Sequence, residues 1–147
     1  MSPYPATPRR GHLYWAQAPF LPEHPLDVLR RTSVMGEVRA ALTFKTRPVL
    51  VVQNRRDNDH PAYPFVLVAA VHSIKPGELE KLRRINHPTD FLLSPEECGL
   101  KRPSIVFLNP LLTIHKNLFQ DHIGSLPSAK QAELNVKLAL ALDLLES

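Results

Sequence analysis

Cysteine is almost missing from this chain of 147 residues, which holds only Cys98. One thiol builds no internal disulfide framework and no thiolate metal site, and a reducing cytoplasm is the simple reading. Long hydrophobic runs are missing too. Nothing reaches the roughly 18 continuous apolar residues that a membrane span needs, so a cytoplasmic protein with no membrane partner is expected. The N-terminal stretch carries Arg9 and Arg10 but no apolar run before a small-residue cleavage site, and is read as no signal peptide. His24, His60, His87 and His122 are scattered, with no pair at metal-ligand spacing, so neither a metal nor another cofactor is expected. Strong charge of one sign is absent as well. A formal charge of +4 and a pI near 9.5 fit either a nucleic-acid partner or an acidic protein partner.

What is present suits one small β-rich domain spanning residues 1–147. Hydrophobic residues make up 44% of the chain, enough for a core without staples. Fifteen prolines cut it into short elements, which favours short strands over a helical bundle. Residues 1–9 read as a loose tail, because Pro3, Pro5 and Pro8 block regular structure. Leu13 to Ala16 read as a first strand. Residues 19–46 read as a long insertion, either carrying a short helix, from the loosely helical spacing of Leu26, Leu29, Val34, Val38 and Leu42, or forming a flap over its neighbours.

Arg47 to Val52 is a continuous apolar run after Arg-Pro and predicts a strand buried on both faces. Gln53 to Pro64 is rich in turn formers and reads as a surface loop. Phe65 to Val71 is a second buried strand. A polar stretch follows from Ile74 to His87, then a short strand at Asp90 to Leu93 and a turn from Ser94 to Gly99. Ser104 to Leu108 is a third apolar strand, broken by Pro110 and resumed at Leu111 to Ile114. Ser128 with Gln131 has the pattern of a capping box. The stripe Leu134, Leu138, Ala141, Leu142 and Leu145 then marks a C-terminal helix.

Several segments together resemble one family, the MazF/PemK toxins. Arg10-Gly11-His12-Leu13-Tyr14-Trp15 is similar to that family's opening strand. Arg47-Pro48-Val49-Leu50-Val51-Val52-Gln53-Asn54 is similar to its most recognisable strand. Val68 to Ser73, Gly99 to Lys101, Ser104 to Val106, Thr113 to Lys116 and Ile123 to Leu126 follow in the family's order. The resemblance implies a small SH3-like β-barrel with a C-terminal helix, usually a homodimer. It also implies a metal-independent endoribonuclease toxin that cuts single-stranded RNA at short sequences and is masked by an acidic antitoxin.

Cutting RNA without a metal uses the 2′-hydroxyl as nucleophile. It needs a base for that proton, a cation for the phosphorane oxygens and a proton for the leaving 5′-oxygen. The resemblance assigns a catalytic arginine to Arg47. A residue before proline is held extended, which fixes where its side chain leaves the strand, and a guanidinium fork matches phosphate oxygens. Its high pKa makes Arg47 a transition-state clamp first and an acid second. Where the family usually has Thr, this chain has His72, a residue type able to act as general base near neutral pH. Ser73 is the third catalytic candidate, as a phosphate ligand. Lys45, Gln53, Asn54, Arg55, Arg56, Lys75 and Tyr63 are the candidates for holding RNA, by charge, hydrogen bonding and stacking.

Asn109-Pro110, Leu112 and His115 stand where the family carries other residues. They leave a second reading open, that of a degenerate relative that binds RNA or an antitoxin without cleaving. A related barrel that poisons gyrase relies on a Trp-Gly-Ile C-terminus, and this chain ends Leu144-Leu145-Glu146-Ser147.

Overall fold

The run from Val49 to Val52 is buried on both sides. Leu50 and Val52 join Leu13, Ala69, Val71 and Val106 in one core, while Val49 and Val51 join Tyr14, Ala16, Val66 and Val68 in another. A strand with apolar partners on both faces needs no polar alternation, which is why the sequence reads as a continuous hydrophobic run.

The computed structural model describes residues 7–20, 28–31 and 36–145. The elements are β1 (His12–Phe20), β2 (Val28–Arg31), β3 (Val38–Ala40), β4 (Thr43–Val51), α1 (Arg55–Asp59), β5 (Phe65–Ser73), α2 (Glu78–Ile85), β6 (Asp90–Leu93), α3 (Pro95–Cys98), β7 (Ser104–His115), a 3₁₀ turn (Lys116–Leu118), β8 (Phe119–Ser125) and α4 (Ser128–Ala141). Six strands form one sheet in the order β6-β7-β5-β4-β1-β8, antiparallel at every pairing. The sheet curls until α3, which follows one edge strand, meets β8 at the other edge. A Cβ on Gly124 would collide with the Cys98 carbonyl oxygen, and one on Gly99 would lie 2.8 Å from the Ile123 carbonyl oxygen. Only bare backbone fits both sides of that closure. Leu134 and Leu138 of α4 seal the first core. The fold is mainly β with a C-terminal helix, as expected.

Several local expectations are corrected. Where the 19–46 insertion is described it is not helical. β1 runs on through Phe20 to pair with Thr43 at the start of β4, and β2 and β3 pair as a two-stranded ribbon. Gly36, at φ +64, adopts a left-handed conformation that breaks any helix there. Leu26, Leu29 and Val34 either lie outside the described residues or have no described side chain. Within the expected tail of residues 1–9, Pro8 is buried and the Arg9 N–H donates to the Tyr14 hydroxyl at 3.0 Å. The Gln53–Pro64 loop holds the short helix α1, and the Ile74–His87 stretch holds α2, which buries none of its residues. At the C-terminal helix the N-cap is Pro127, with no capping box; Gln131 instead donates to the Leu126 carbonyl at 3.0 Å. The stripe is half core, since Leu142 and Leu145 stay exposed.

One irregularity positions the site. On β5, Val68 opposes Leu112 and Ala70 opposes Phe107, so one residue of β5 faces four of β7. An odd number of extra residues turns every later side chain to the other face. Val106 and Leu108 therefore belong to the first core, and Leu112 and Ile114 to the second. The extra residues, around Asn109-Pro110, bulge out at the sheet's surface.

Candidate functional site: an Arg–His pair over a cavity

Pro48 has no N–H, and the β4–β5 ladder begins at the next residue, with Val49 opposite Ala70. Continuing that register sets Arg47 opposite His72. Their side chains bridge the strands. The Arg47 guanidinium lies 2.9 Å from Nδ1 of His72, and Nε2 stands off at 3.5 Å. Arginine can only donate, so Nδ1 accepts and the neutral ring carries its proton on Nε2. His72 is half-buried, with the Phe107 ring set edge-on at 4.9 Å. Burial holds its pKa below the ordinary 6.5, and the Arg47 charge pushes in the same direction.

The pair opens onto a cavity of about 160 Å³, lined besides by Ala18, Pro19, Ala70, Phe107, Pro110 and Leu112. The bulge builds one wall of it. Those apolar walls lower the local polarity and strengthen charge interactions at the pair. Among the described residues, no three His, Cys, Asp or Glu side chains converge.

The other candidate residues are dispersed. Lys45 is exposed on β4 opposite Ala18, two residues from Arg47 and on the same face. Ser73 points to the other face and lines a different groove, with Trp15 and Pro48. Lys75 lies beyond it, in a groove with Gly77, Leu79 and Arg102. Gln53, Asn54, Arg55, Arg56 and Tyr63 sit at the far end of the strand pair, about 20 Å from Arg47 at the rise of a strand.

Much of that far end is taken up by the scaffold. Gln53 donates to the Phe65 carbonyl at 2.9 Å and to Asn58 at 3.0 Å, and accepts from the Leu67 N–H at 3.1 Å. Asn54 caps α1, accepting from the Asp57 N–H at 2.9 Å. Arg55 pairs with Asp59 at 3.4 Å. Nearby, buried Lys116 donates to the carbonyls of His60 at 2.9 Å and Asp57 at 3.4 Å.

Phe107, Ala18 and Pro19 were not foreseen as site residues. The signal for Phe107 is an aromatic two register steps from His72's partner strand position, readable only once the pairing of β5 with β7 is known.

A curled six-stranded sheet with a terminal helix, and a guanidinium–imidazole pair at a cavity mouth, define a small mainly-β domain with one candidate site. The sequence model of a family described as PemK-like, MazF-like toxin of type II toxin–antitoxin system matches residues 9–142, and the chain belongs to that family. Endoribonuclease MazF of Staphylococcus saprophyticus is 26% identical over 98 residues, or 67% of this chain and 74% of that protein. Three solved structures share the fold. An endoribonuclease from a mycobacterial species matches at TM-score 0.60, with 20% identity over 97% of each chain. A mycobacterial endoribonuclease in complex with its cognate antitoxin matches at 0.57, with 20% identity over 96% of this chain and 98% of that one. A MazE–MazF structure from Deinococcus radiodurans matches at 0.57, with 18% identity over 94% and 98%. Among the described residues no helix is long and apolar enough to cross a membrane.

Proposed function

We propose that this chain is a metal-independent endoribonuclease toxin that cleaves single-stranded RNA at a short sequence through the 2′-hydroxyl. The observation that carries the reading is the bond between Arg47 and His72 at the mouth of an apolar cavity. It joins a phosphate-binding fork to a neutral imidazole, in a family with an endoribonuclease among its members.

The two groups suit successive roles. Without RNA, Arg47 occupies the Nδ1 lone pair of His72. A phosphate draws the guanidinium onto its own oxygens, because a charge-assisted bond to an anion outweighs one to a neutral ring. That frees Nδ1 to take the proton of the 2′-hydroxyl. Arg47 then faces the charge that develops on the phosphorane, and the leaving 5′-oxygen takes its proton from water at the cavity mouth. Lys45, on the same face, adds a cation for a flanking phosphate. A cognate antitoxin is the partner named for a mycobacterial structure of this fold, and an acidic one would mask the cationic mouth here. Homodimerisation and a cytoplasmic site of action belong to the same proposal.

The test is cleavage of single-stranded RNA in EDTA, with product ends mapped for 2′,3′-cyclic phosphate. Wild-type protein is expected to cleave and Arg47→Ala to lose cleavage. Undiminished cleavage by Arg47→Ala rejects the site. Tight RNA binding with intact RNA would favour the reading of a non-cleaving relative, which the departures at Pro110 and Leu112 in the cavity wall support.

A further inference from the structure

The sole tryptophan lies off this site. Trp15 of β1 stands opposite Pro48 of β4 and is 40% exposed. It walls a groove of about 350 Å³ whose other residues include Pro48, Ser73, Leu100, Lys101 and Arg102. Strand alternation explains the placement. Pro48 follows Arg47 and Ser73 follows His72, so each leaves the sheet on the side away from its neighbour. The groove and the Arg47–His72 cavity therefore back onto each other at one end of the β4–β5 pair.

The lining has two kinds of chemistry. A part-exposed indole offers a stacking face to any base. Lys101 and Arg102 are exposed beside it, and among the described residues neither has a carboxylate partner. An apolar occupant would leave both cations unanswered. A nucleotide answers the indole with its base and the cations with its phosphate.

We propose that this groove is a nucleotide-binding subsite for single-stranded RNA, with a base stacked on Trp15 and its phosphate on Lys101 and Arg102. The proposal rests on the ribonuclease reading and extends it. A strand crossing this end of the sheet lays one phosphate on Arg47 and a base further along on Trp15. The subsite binds RNA and takes no part in breaking bonds.

Because Trp15 is the only tryptophan, its emission reads the groove directly. The experiment titrates the full chain with a labelled 2′-O-methyl oligonucleotide, which cannot be cleaved, following tryptophan emission and oligonucleotide anisotropy together. Quenching that saturates with the anisotropy is expected. Trp15→Leu should weaken binding about tenfold, as loss of one stacked base does. Lys101→Gln with Arg102→Gln, both on the surface, should weaken binding and flatten its salt dependence. Rising anisotropy with unchanged emission places the RNA elsewhere and overturns the subsite while leaving the ribonuclease reading intact. Emission that changes on dilution of the protein alone means a second copy covers Trp15, which also overturns it. Absence of any binding overturns the subsite together with the RNA reading beneath it.

Discussion

The two ends of the β4–β5 pair both carry polar side chains and use them in opposite ways. At the far end Gln53, Asn58 and Lys116 direct most of their hydrogen bonds into the backbone. Asn58 donates to the Gln53 carbonyl at 3.0 Å, and Lys116 closes the end of α1. At the near end Arg47 meets His72, side chain to side chain, over a cavity. Backbone carbonyls have no other partner to turn to, so the far-end bonds persist whether or not a ligand is present. A guanidinium bonded to a neutral ring can exchange that ring for an anion. Residues of similar polarity thus divide into scaffold and site according to what answers them.

The largest effect expected lies at the near end. Arg47→Ala should lower RNA cleavage about 10³-fold, equivalent to about 4 kcal/mol of barrier. The melting temperature should move little, because a half-exposed arginine side chain contributes little to folding. A large drop in stability in this variant would make Arg47 scaffold and erase the contrast.

Next comes Lys116 at the far end, 2% exposed. Burial pulls its ammonium pKa below the ordinary 10.5, opposed by the charges of Asp59 and Asp57. Lys116→Met removes the donor and strands two carbonyls. The expected cost is about 3 kcal/mol, or roughly 5–10 °C in melting temperature for a domain of this size. The protein that remains folded should cleave normally per mole. Gln53→Ala should behave alike on a smaller scale, with about 1–2 kcal/mol lost as three bonds go. A fall in cleavage by Gln53→Ala beyond what its unfolded fraction explains would move the far end into the RNA site.

This division shows what the sequence could reveal. Val49 to Val52 were legible because a strand buried on both faces has only one pattern. The meeting of Arg47 with His72 was legible in outline, since the two residues flank apolar runs, Val49 to Val52 and Phe65 to Val71, that pair as successive antiparallel strands. Gln53 and Asn54 were not. A glutamine in a turn-rich segment reads the same whether it meets RNA or a neighbouring carbonyl, and only the fold brings Phe65 and Leu67 to it. Phe107 was hidden for a related reason. Its face depends on the bulge in β7, which exists only in relation to β5. α2 escaped notice because its spaced Leu79, Leu82 and Ile85 sit in a charged stretch and bury nothing.

The smallest effect bears on the mechanism most directly. Two causes lower the His72 pKa, burial first and the Arg47 charge second. Catalysis that needs the neutral ring should level off above pH 6.5, the ordinary histidine value, and fall away as pH drops through the lowered one. Arg47→Met removes the second cause and keeps the first. His72 in that variant should titrate at higher pH than in the wild type, yet still below 6.5. Proton NMR of the imidazole Cε1–H, assigned against His72→Gln, reads this without any cleavage. If His72 titrates at one pH in both proteins, the guanidinium does not act on the ring. The proposed exchange of Arg47 between imidazole and phosphate then fails, while the barrel and its family membership stand unchanged.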